Sequence, residues 1–362
     1  MWRRKESKQE GQVRNAIQQC AGTCFDIGAL RNTRQAEGSI STQLSSSAVV
    51  AIQPSAYTDI SPWQTRIIAL WPNSDEKATL EADLLAVDLI AGEGVVVTST
   101  NQNMSYDALS YCWGNGPRDS LLELNSSSFA VSSSLQAALR KLRSRTETRY
   151  LWVDAICINQ DDDNEKAIQV ATMLRIFQKA ARIHVWLGEA SEDSGLAIAC
   201  MTDRHYASLQ DGLKDTAKMK HHGSCIVRLR TIHSALCNFF ARPWFRRTWI
   251  RQEIYASRSI KVHCGDKSLT WPSLWSARRL LQSIEESRGE QWAHDPSIER
   301  LLDELHNNTE PTPAGQYKPL RSLFDILITS QYYQVTDPRD VVYGSLGKRT
   351  SRNDFLRCST DR

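Results

Sequence analysis

Trp249 and Glu253 are four residues apart in Trp249-Ile250-Arg251-Gln252-Glu253, so on a helix they share one face. Arg246, Arg247 and Arg251 surround that carboxylate in sequence. Two roles fit the pattern: a catalytic carboxylate, or an ion-pair partner. A second polar group stands in two apolar runs. Ser110 and Trp113 close Ala108-Leu109-Ser110-Tyr111-Cys112-Trp113, and Asp154 and Asn159 stand in Leu151-Trp152-Val153-Asp154-Ala155-Ile156-Cys157-Ile158-Asn159-Gln160. Open α/β sheets bind ligands outside the carboxyl ends of their strands, where these four residues would gather. Either they line a polar, aromatic-walled pocket, or the aromatics fill core while Asp154 and Asn159 cap the following loop. Asp337-Pro338-Arg339-Asp340 has the form of a helix start, with Asp as N-cap, Pro at the first helical position and Asp in the first turn.

Other chemistries are poorly served. His221-His222-Gly223-Ser224-Cys225 lacks a second paired cluster, so no metal site is expected. A Gly-rich phosphate loop, a Gly-x-Ser-x-Gly elbow and a His-Glu-x-x-His helix are all absent from the sequence, which removes kinase, P-loop, α/β-hydrolase and zincin readings. The 362 residues carry 44 Lys+Arg against 41 Asp+Glu, and a net charge of +3 gives no reason to invoke nucleic acid or a membrane surface. A membrane helix needs roughly 18 apolar residues, and no run approaches that. The nine cysteines are odd in number and hold no Cys-x-x-Cys pair, which fits reduced thiols in the cytoplasm. Eleven tryptophans exceed the eight phenylalanines, and five of them (113, 152, 186, 244 and 249) fall within these segments, the run Arg242-Pro243-Trp244-Phe245 that leads into the last of them, and the strand Arg182 to Gly188.

The elements that must position these residues follow from period and punctuation. Residues 1–62, rich in Gln, Ser, Thr and Arg, read as disordered. Thr65 to Trp71, Leu84 to Leu89 and Val95 to Val97 read as a strand or hairpin preamble. From residue 106 strands and helices alternate. Ala108 to Trp113 reads as a strand stopped by Gly114. Leu135, Ala138, Leu139 and Leu142 have helical spacing behind a Ser132–Ser134 cap. Tyr150 to Ile158 reads as a buried central strand, Val170 to Ala181 as a helix and Arg182 to Gly188 as the next strand. Strand, helix and strand at this spacing make a βαβ unit and hence a parallel sheet. The stretch 190–224 is polar; Ile226 to Phe240 then has helical spacing, which Pro243 ends. A hairpin is expected around Gly265-Asp266, then helices over 273–286, 297–306 and 320–333.

Together, the segments resemble the fungal heterokaryon incompatibility (HET) domain over roughly residues 65–347. The resemblance rests on 106–114, on 151–160, on Glu165-Lys166 and Gln169-Val170 with Met173, on Val185-Trp186-Leu187-Gly188, on Trp249-x-x-Gln252-Glu253 and on Asp337-Pro338-Arg339-Asp340. It implies a domain spanning 63–347, with an α/β core over 104–257, a hairpin and helical extension over 258–347, and a polar tail over 348–362. Gly114, Gln160, Gln252, Asp337, Arg339 and Asp340 are its motif positions here. The implied role is fungal nonself recognition, in which the domain triggers programmed cell death after incompatible hyphal fusion.

A weaker resemblance is to TIR domains, through Leu109-Ser110-Tyr111, Val153-Asp154, Arg182 to Leu187 and Trp249 to Glu253, with Ile250 where TIR domains usually have Cys. It implies a TIR-like or flavodoxin-like, mostly parallel sheet with flanking helices. It also implies Glu253 as the catalytic carboxylate of NAD cleavage, with NAD as substrate and no required cofactor or metal. Ser110, Tyr111, Trp113, Asp154, Asn159 and Trp249 are then the ligand-facing residues. Expected partners are proteins: further copies of the chain, or NLR-type and other incompatibility proteins. The alternatives are a non-catalytic signalling module, and a shortened, inactive family member, since 22 residues follow Asp340.

Overall fold

Short apolar runs, buried almost continuously at the centre, pair into one large sheet, and the helices bury their apolar stripes against it. The computed structural model describes residues 57–89, 94–114, 116–203, 223–256 and 259–288. Its elements in chain order are β1 (Gln64–Leu70), β2 (Glu81–Asp88), β3 (Val95–Val97), β4 (Gln102–Met104), β5 (Asp107–Tyr111), β6 (Ser120–Leu124), β7 (Ser127–Val131), α1 (Ser133–Leu142), β8 (Arg149–Trp152), α2 (Asp154–Cys157) and α3 (Asp163–Lys179). There follow β9 (Arg182–Trp186), α4 (Ser194–Thr202), α5 (Gly223–Phe240), a 3-10 turn (Pro243–Arg246), α6 (Ile250–Tyr255), β10 (Ile260–Cys264), β11 (Lys267–Thr270) and α7 (Ser273–Arg288).

The strand order is β11-β10-β9-β5-β8-β1-β2-β3-β4, and the β6–β7 hairpin joins through β6 to β2. The centre is parallel, with β8, β5, β9 and β10 running one way, and β2–β6 is a short parallel pair, while β1–β8, β1–β2, β2–β3, β3–β4, β6–β7 and β10–β11 are antiparallel. The sheet is therefore mixed rather than mostly parallel, because the preamble strands extend the same sheet instead of forming a separate hairpin. Within the parallel centre, the chain starts in the middle at β5, crosses to β8 on one side, and returns to β9 on the other. Such a reversal opens a crevice at the carboxyl ends of the two strands flanking it, here β5 and β9.

Local sequence explains the main elements. Ser132 caps α1 by accepting the Leu135 N–H, and Leu135, Ala138, Leu139 and Leu142 form its buried face. Asp162 caps α3 by accepting the Asn164 and Glu165 N–H groups, and Gln169, Met173, Ile176 and Phe177 are buried along it. Trp152 meets Phe177 edge to face at 5.4 Å, locking α3 onto β8. The run 150–158 is not one strand. It leaves β8 at Trp152, and Asp154–Cys157 form a single helical turn whose Ile156 and Cys157 stay buried. Continuous burial, rather than strand geometry, accounts for that apolar run. A helix, α4, lies within the polar stretch 190–224.

The described chain begins ahead of residue 62, with Tyr57 donating its hydroxyl to the Ile156 carbonyl at 2.9 Å and the Thr58 carbonyl accepting from Arg66 Nη2 at 2.6 Å. Arg66, 2% exposed, also forks onto Glu165 at 2.7 and 2.9 Å. No helix among the described residues is long and apolar enough to cross a membrane. The helices expected over 297–306 and 320–333, the tail over 348–362 and most of 1–62 lie outside the described residues.

Candidate functional site

Ser110 is the penultimate residue of β5, and its hydrogen-bonded neighbour across the parallel ladder is Val185 of β9. Its hydroxyl is therefore held at the crevice between β5 and β9. It is 2% exposed, accepts a hydrogen bond from Trp244 Nε1 at 2.7 Å, and donates to Glu253 Oε2. Trp244 reaches it from the 3-10 turn, which Pro243 opens at a position that needs no N–H. The chain then extends through Arg247 and enters α6 at Trp249, whose carbonyl accepts the Glu253 N–H at 3.2 Å. This places Glu253 in the first turn of α6, the end of a helix that favours an acid.

Glu253 is 2% exposed, and its Oε1 lies 3.3 Å from Arg247 Nη2. Burial opposes the charge of Arg247, but Glu253 and Asp154 outweigh it and hold the guanidinium above its ordinary value. Arg247 Nη1 is buried and has no hydrogen-bond partner among the described residues.

Asp154 opens α2 and accepts Trp113 Nε1 on both oxygens, at 3.0 and 2.9 Å, together with the Ala155 N–H at 2.7 Å. Burial pushes its carboxyl up to about 6, helped by Glu253 and opposed by Arg247 and the Trp113 bond. Burial and the Asp154 charge likewise hold the Tyr111 hydroxyl well above its usual value. Beside them lies a cleft of about 120 Å³ lined by Tyr111, Trp113, Gly114, Arg118 and Ala155. Trp113 is 37% exposed, so its ring is open to the cleft and to solvent. Gly114 adopts φ +69°, a conformation that a side chain resists, and turns the chain there. Asp154 and Arg247 thus adjoin Tyr111 and Trp113, and Arg247 links them to Glu253, which does not itself line the cleft. Such a set can stabilise a developing cation, and a carboxyl near 6 can exchange a proton at neutral pH.

The structure brings some expected residues together and separates others. Ser110 meets Glu253, and Trp113 meets Asp154. Asn159 is in neither group: its Oδ1 accepts the Asp161 N–H at 3.2 Å and its own N–H goes to Glu165 at 2.8 Å, so it shapes the loop before α3. Gln160 donates to the Asp154 carbonyl at 3.0 Å and steadies the same turn. Trp249 is partly buried against the core and acts on Glu253 through its backbone. Gln252 is buried, and its Oε1 has no partner among the described residues. Asp337, Arg339, Asp340, His221 and His222 lie outside the described residues. Trp244 is readable in the sequence only as part of an aromatic segment, and Arg247 only as a neighbour of Glu253; their reach to Ser110 and Glu253 depends on the turn between α5 and α6. Arg118, in the loop before β6, carries no sequence signal.

Comparison with known proteins falls on the same region. Residues 106–253 match the family model described as Heterokaryon incompatibility protein (HET), a span that runs from the residue before β5 to Glu253 itself. Heterokaryon incompatibility protein 6, OR allele, of Neurospora crassa is 27% identical over 301 residues, covering 67% of this chain and 42% of the relative. The chain thus spans about two-fifths of the length of the curated relative it matches. No solved structure matches. Residues 106–253 are thus similar to the HET family, and the chain has distant homology to the Neurospora heterokaryon incompatibility protein.

Proposed function

We propose that this protein acts in the cytoplasm as a HET-domain effector of fungal nonself recognition, and that it triggers cell death by cleaving NAD through Glu253. The observation that carries the reading is the Ser110–Glu253–Arg247 cluster at the crevice between β5 and β9. The parallel strands run in the spatial order second, first, third, fourth, which is the flavodoxin-like arrangement, and ligands in such sheets sit where the order reverses. In the reaction, the bond between ribose C1′ and the nicotinamide nitrogen breaks, and its electron pair neutralises the pyridinium. The ribose carries the positive charge until water adds, losing its proton to a carboxylate. Glu253 opposes that charge, as carboxylates do in glycoside cleavage, while Trp113 offers a ring for stacking and Arg118 a cation for phosphate. Assembly with further copies, or with NLR-type or other incompatibility proteins, supplies the trigger in this reading.

One observation favours a second reading, a non-catalytic signalling module. Glu253 is 2% exposed with both oxygens engaged, as a structural ion pair would be. Expression of the full chain and its Glu253→Gln variant in fungal cells separates the two. NAD loss preceding death, with both absent in the variant, supports catalysis; death with undiminished NAD supports the module.

A further inference from the structure

The single turn α2 sets one side of the candidate site, because it places Asp154 beside the cleft and Ala155 in its wall. Four residues cannot hold a helical shape alone: fixing their dihedral angles costs more than the few hydrogen bonds within them return. The carbonyls of so short a turn also need partners from outside it. The Asp154 carbonyl accepts from Gln160 Nε2 at 3.0 Å, the Ile156 carbonyl from the Tyr57 hydroxyl at 2.9 Å and the Cys157 carbonyl from Arg66 Nη1 at 3.2 Å. Gln160 belongs to the loop that follows the turn. Tyr57 and Arg66 stand 99 and 91 residues ahead of the carbonyls they reach, outside the matched span 106–253.

Tyr57 is itself aimed by its surroundings. Its ring lies 4.9 Å from the Arg66 guanidinium, and the next carbonyl, that of Thr58, accepts from Arg66 Nη2 at 2.6 Å. The fork onto Glu165 fixes Arg66 in turn. Burial, helped by Cys157, holds the Tyr57 hydroxyl above its usual value, so it keeps its proton and donates it to Ile156. At the other end of the turn, both oxygens of Asp154 accept Trp113 Nε1. Trp113 is 37% exposed, so packing grips only part of its ring, and the bond to Asp154 supplies the rest of its orientation.

We infer that Tyr57 is a positioning residue of the candidate site: its hydroxyl bond to the Ile156 carbonyl sets turn α2, and through the turn the Asp154 carboxylate and the Trp113 wall of the cleft. Once that bond is lost, the Ile156 carbonyl turns to water, the turn loosens, and Asp154 gains hydration while Trp113 loses its fixed orientation. The groups that act directly on Asp154 are Arg247 from the segment before α6, Glu253 of α6, Tyr111 of β5 and Cys157 of α2 itself. Tyr57 faces a different set, Cys157, Arg66, Glu165 and Asp161. Replacing its neutral phenol by a neutral phenyl ring changes no charge, so any response of Asp154 travels through the turn.

The test is nuclear magnetic resonance of the full chain with nitrogen-15 in its tryptophan indoles, in which Trp113→Phe identifies the Trp113 Nε1–H signal by its loss. In the parent that signal shifts with a midpoint of about 6 as Asp154 takes up its proton. In folded Tyr57→Phe the signal moves at neutral pH towards that of a water-exposed indole. The midpoint falls by about one pH unit, towards the ordinary 3.8, because water favours the ionised carboxyl. Gln160→Leu, which frees the Asp154 carbonyl directly, moves the signal the same way. The indole of Trp71, which donates to Asp83 at 3.1 Å, stays at its parental position in both variants. A Trp113 signal in Tyr57→Phe with parental position and midpoint would overturn the assignment, whether or not Gln160→Leu moves it. An equal displacement of the Trp71 signal, which marks general loosening, or a parent Trp113 signal flat with pH would overturn it too. The signal is read from the resting chain, so neither outcome depends on NAD cleavage through Glu253.

Discussion

Replacing Arg66 by Met is expected to cost about 4 kcal/mol of stability, a figure that follows from what its guanidinium holds in place. The group is 2% exposed and forks onto Glu165 at 2.7 and 2.9 Å. It also donates to the carbonyls of Cys157 at 3.2 Å and Thr58 at 2.6 Å, and lies 4.9 Å from the Tyr57 ring centroid. Methionine fills the volume but leaves Glu165, 12% exposed, with only the Asn159 N–H at 2.8 Å as partner in that cluster. Breaking a buried pair from one side costs about 3–5 kcal/mol, chiefly through the charge left behind. Removal of the Thr58 and Cys157 hydrogen bonds adds to this, and relaxation of Glu165 towards solvent subtracts. The charge penalty vanishes when both partners go, so Arg66→Met with Glu165→Met is expected to lose only about 2 kcal/mol. Guanidinium unfolding of the full chain, followed by tryptophan fluorescence, measures the two single variants and the double. A loss below about 1 kcal/mol in Arg66→Met, or a double variant whose loss equals the sum of the singles, would refute the reasoning.

Two further outcomes follow from the site and its surroundings. Asp154 binds its proton more tightly folded, up to about 6, than at its ordinary 3.8, so its contribution to stability is fully present below about pH 4 and is lost as pH rises through about 6. The stability of Asp154→Asn relative to the parent should therefore rise across that window and level off above it, and a difference flat with pH would contradict the burial of this carboxyl. Gly265 adopts φ +53°, and a Cβ there would lie 2.8 Å from Ala190 Cβ and 2.9 Å from Ala190 N. Gly265→Ala is expected to cost on the order of 2–4 kcal/mol from backbone strain and overpacking together, and a loss under about 1 kcal/mol would show that the β10–β11 turn can shift.

Elements set by local chemistry are legible in the sequence, and those set by pairing are not. Leu135 to Leu142 behind Ser132, and the turn at Gly265-Asp266, announce α1 and the β10–β11 hairpin because each depends on neighbours within a few residues. The β6–β7 hairpin is hidden because its turn is Asn125-Ser126, both at positive φ, where a hairpin is usually marked by glycine. The segment 150–158 misleads because strand and buried helical turn look alike when every side faces protein. At the site, Glu253 and its neighbouring arginines present a choice between catalysis and ion pairing, and the pairing with Arg247 is real. Several motif residues serve the fold: Glu165 holds Arg66, and Gln169 joins Thr65 Oγ1 at 2.7 Å to the Gln64 carbonyl at 2.8 Å. The bond from Tyr57 to turn α2 leaves no trace in the sequence, because it exists only through packing between segments 99 residues apart in the chain.

The most direct test of NAD cleavage through Glu253 is the time course of NAD and nicotinamide with the purified full chain, concentrated to favour assembly, beside its Glu253→Gln variant of matched melting temperature. Stoichiometric conversion of NAD to nicotinamide by the parent, reduced by about 100-fold or more in the variant, is the expected result. NAD left intact by assembled parent protein, or consumed equally by both, would contradict it.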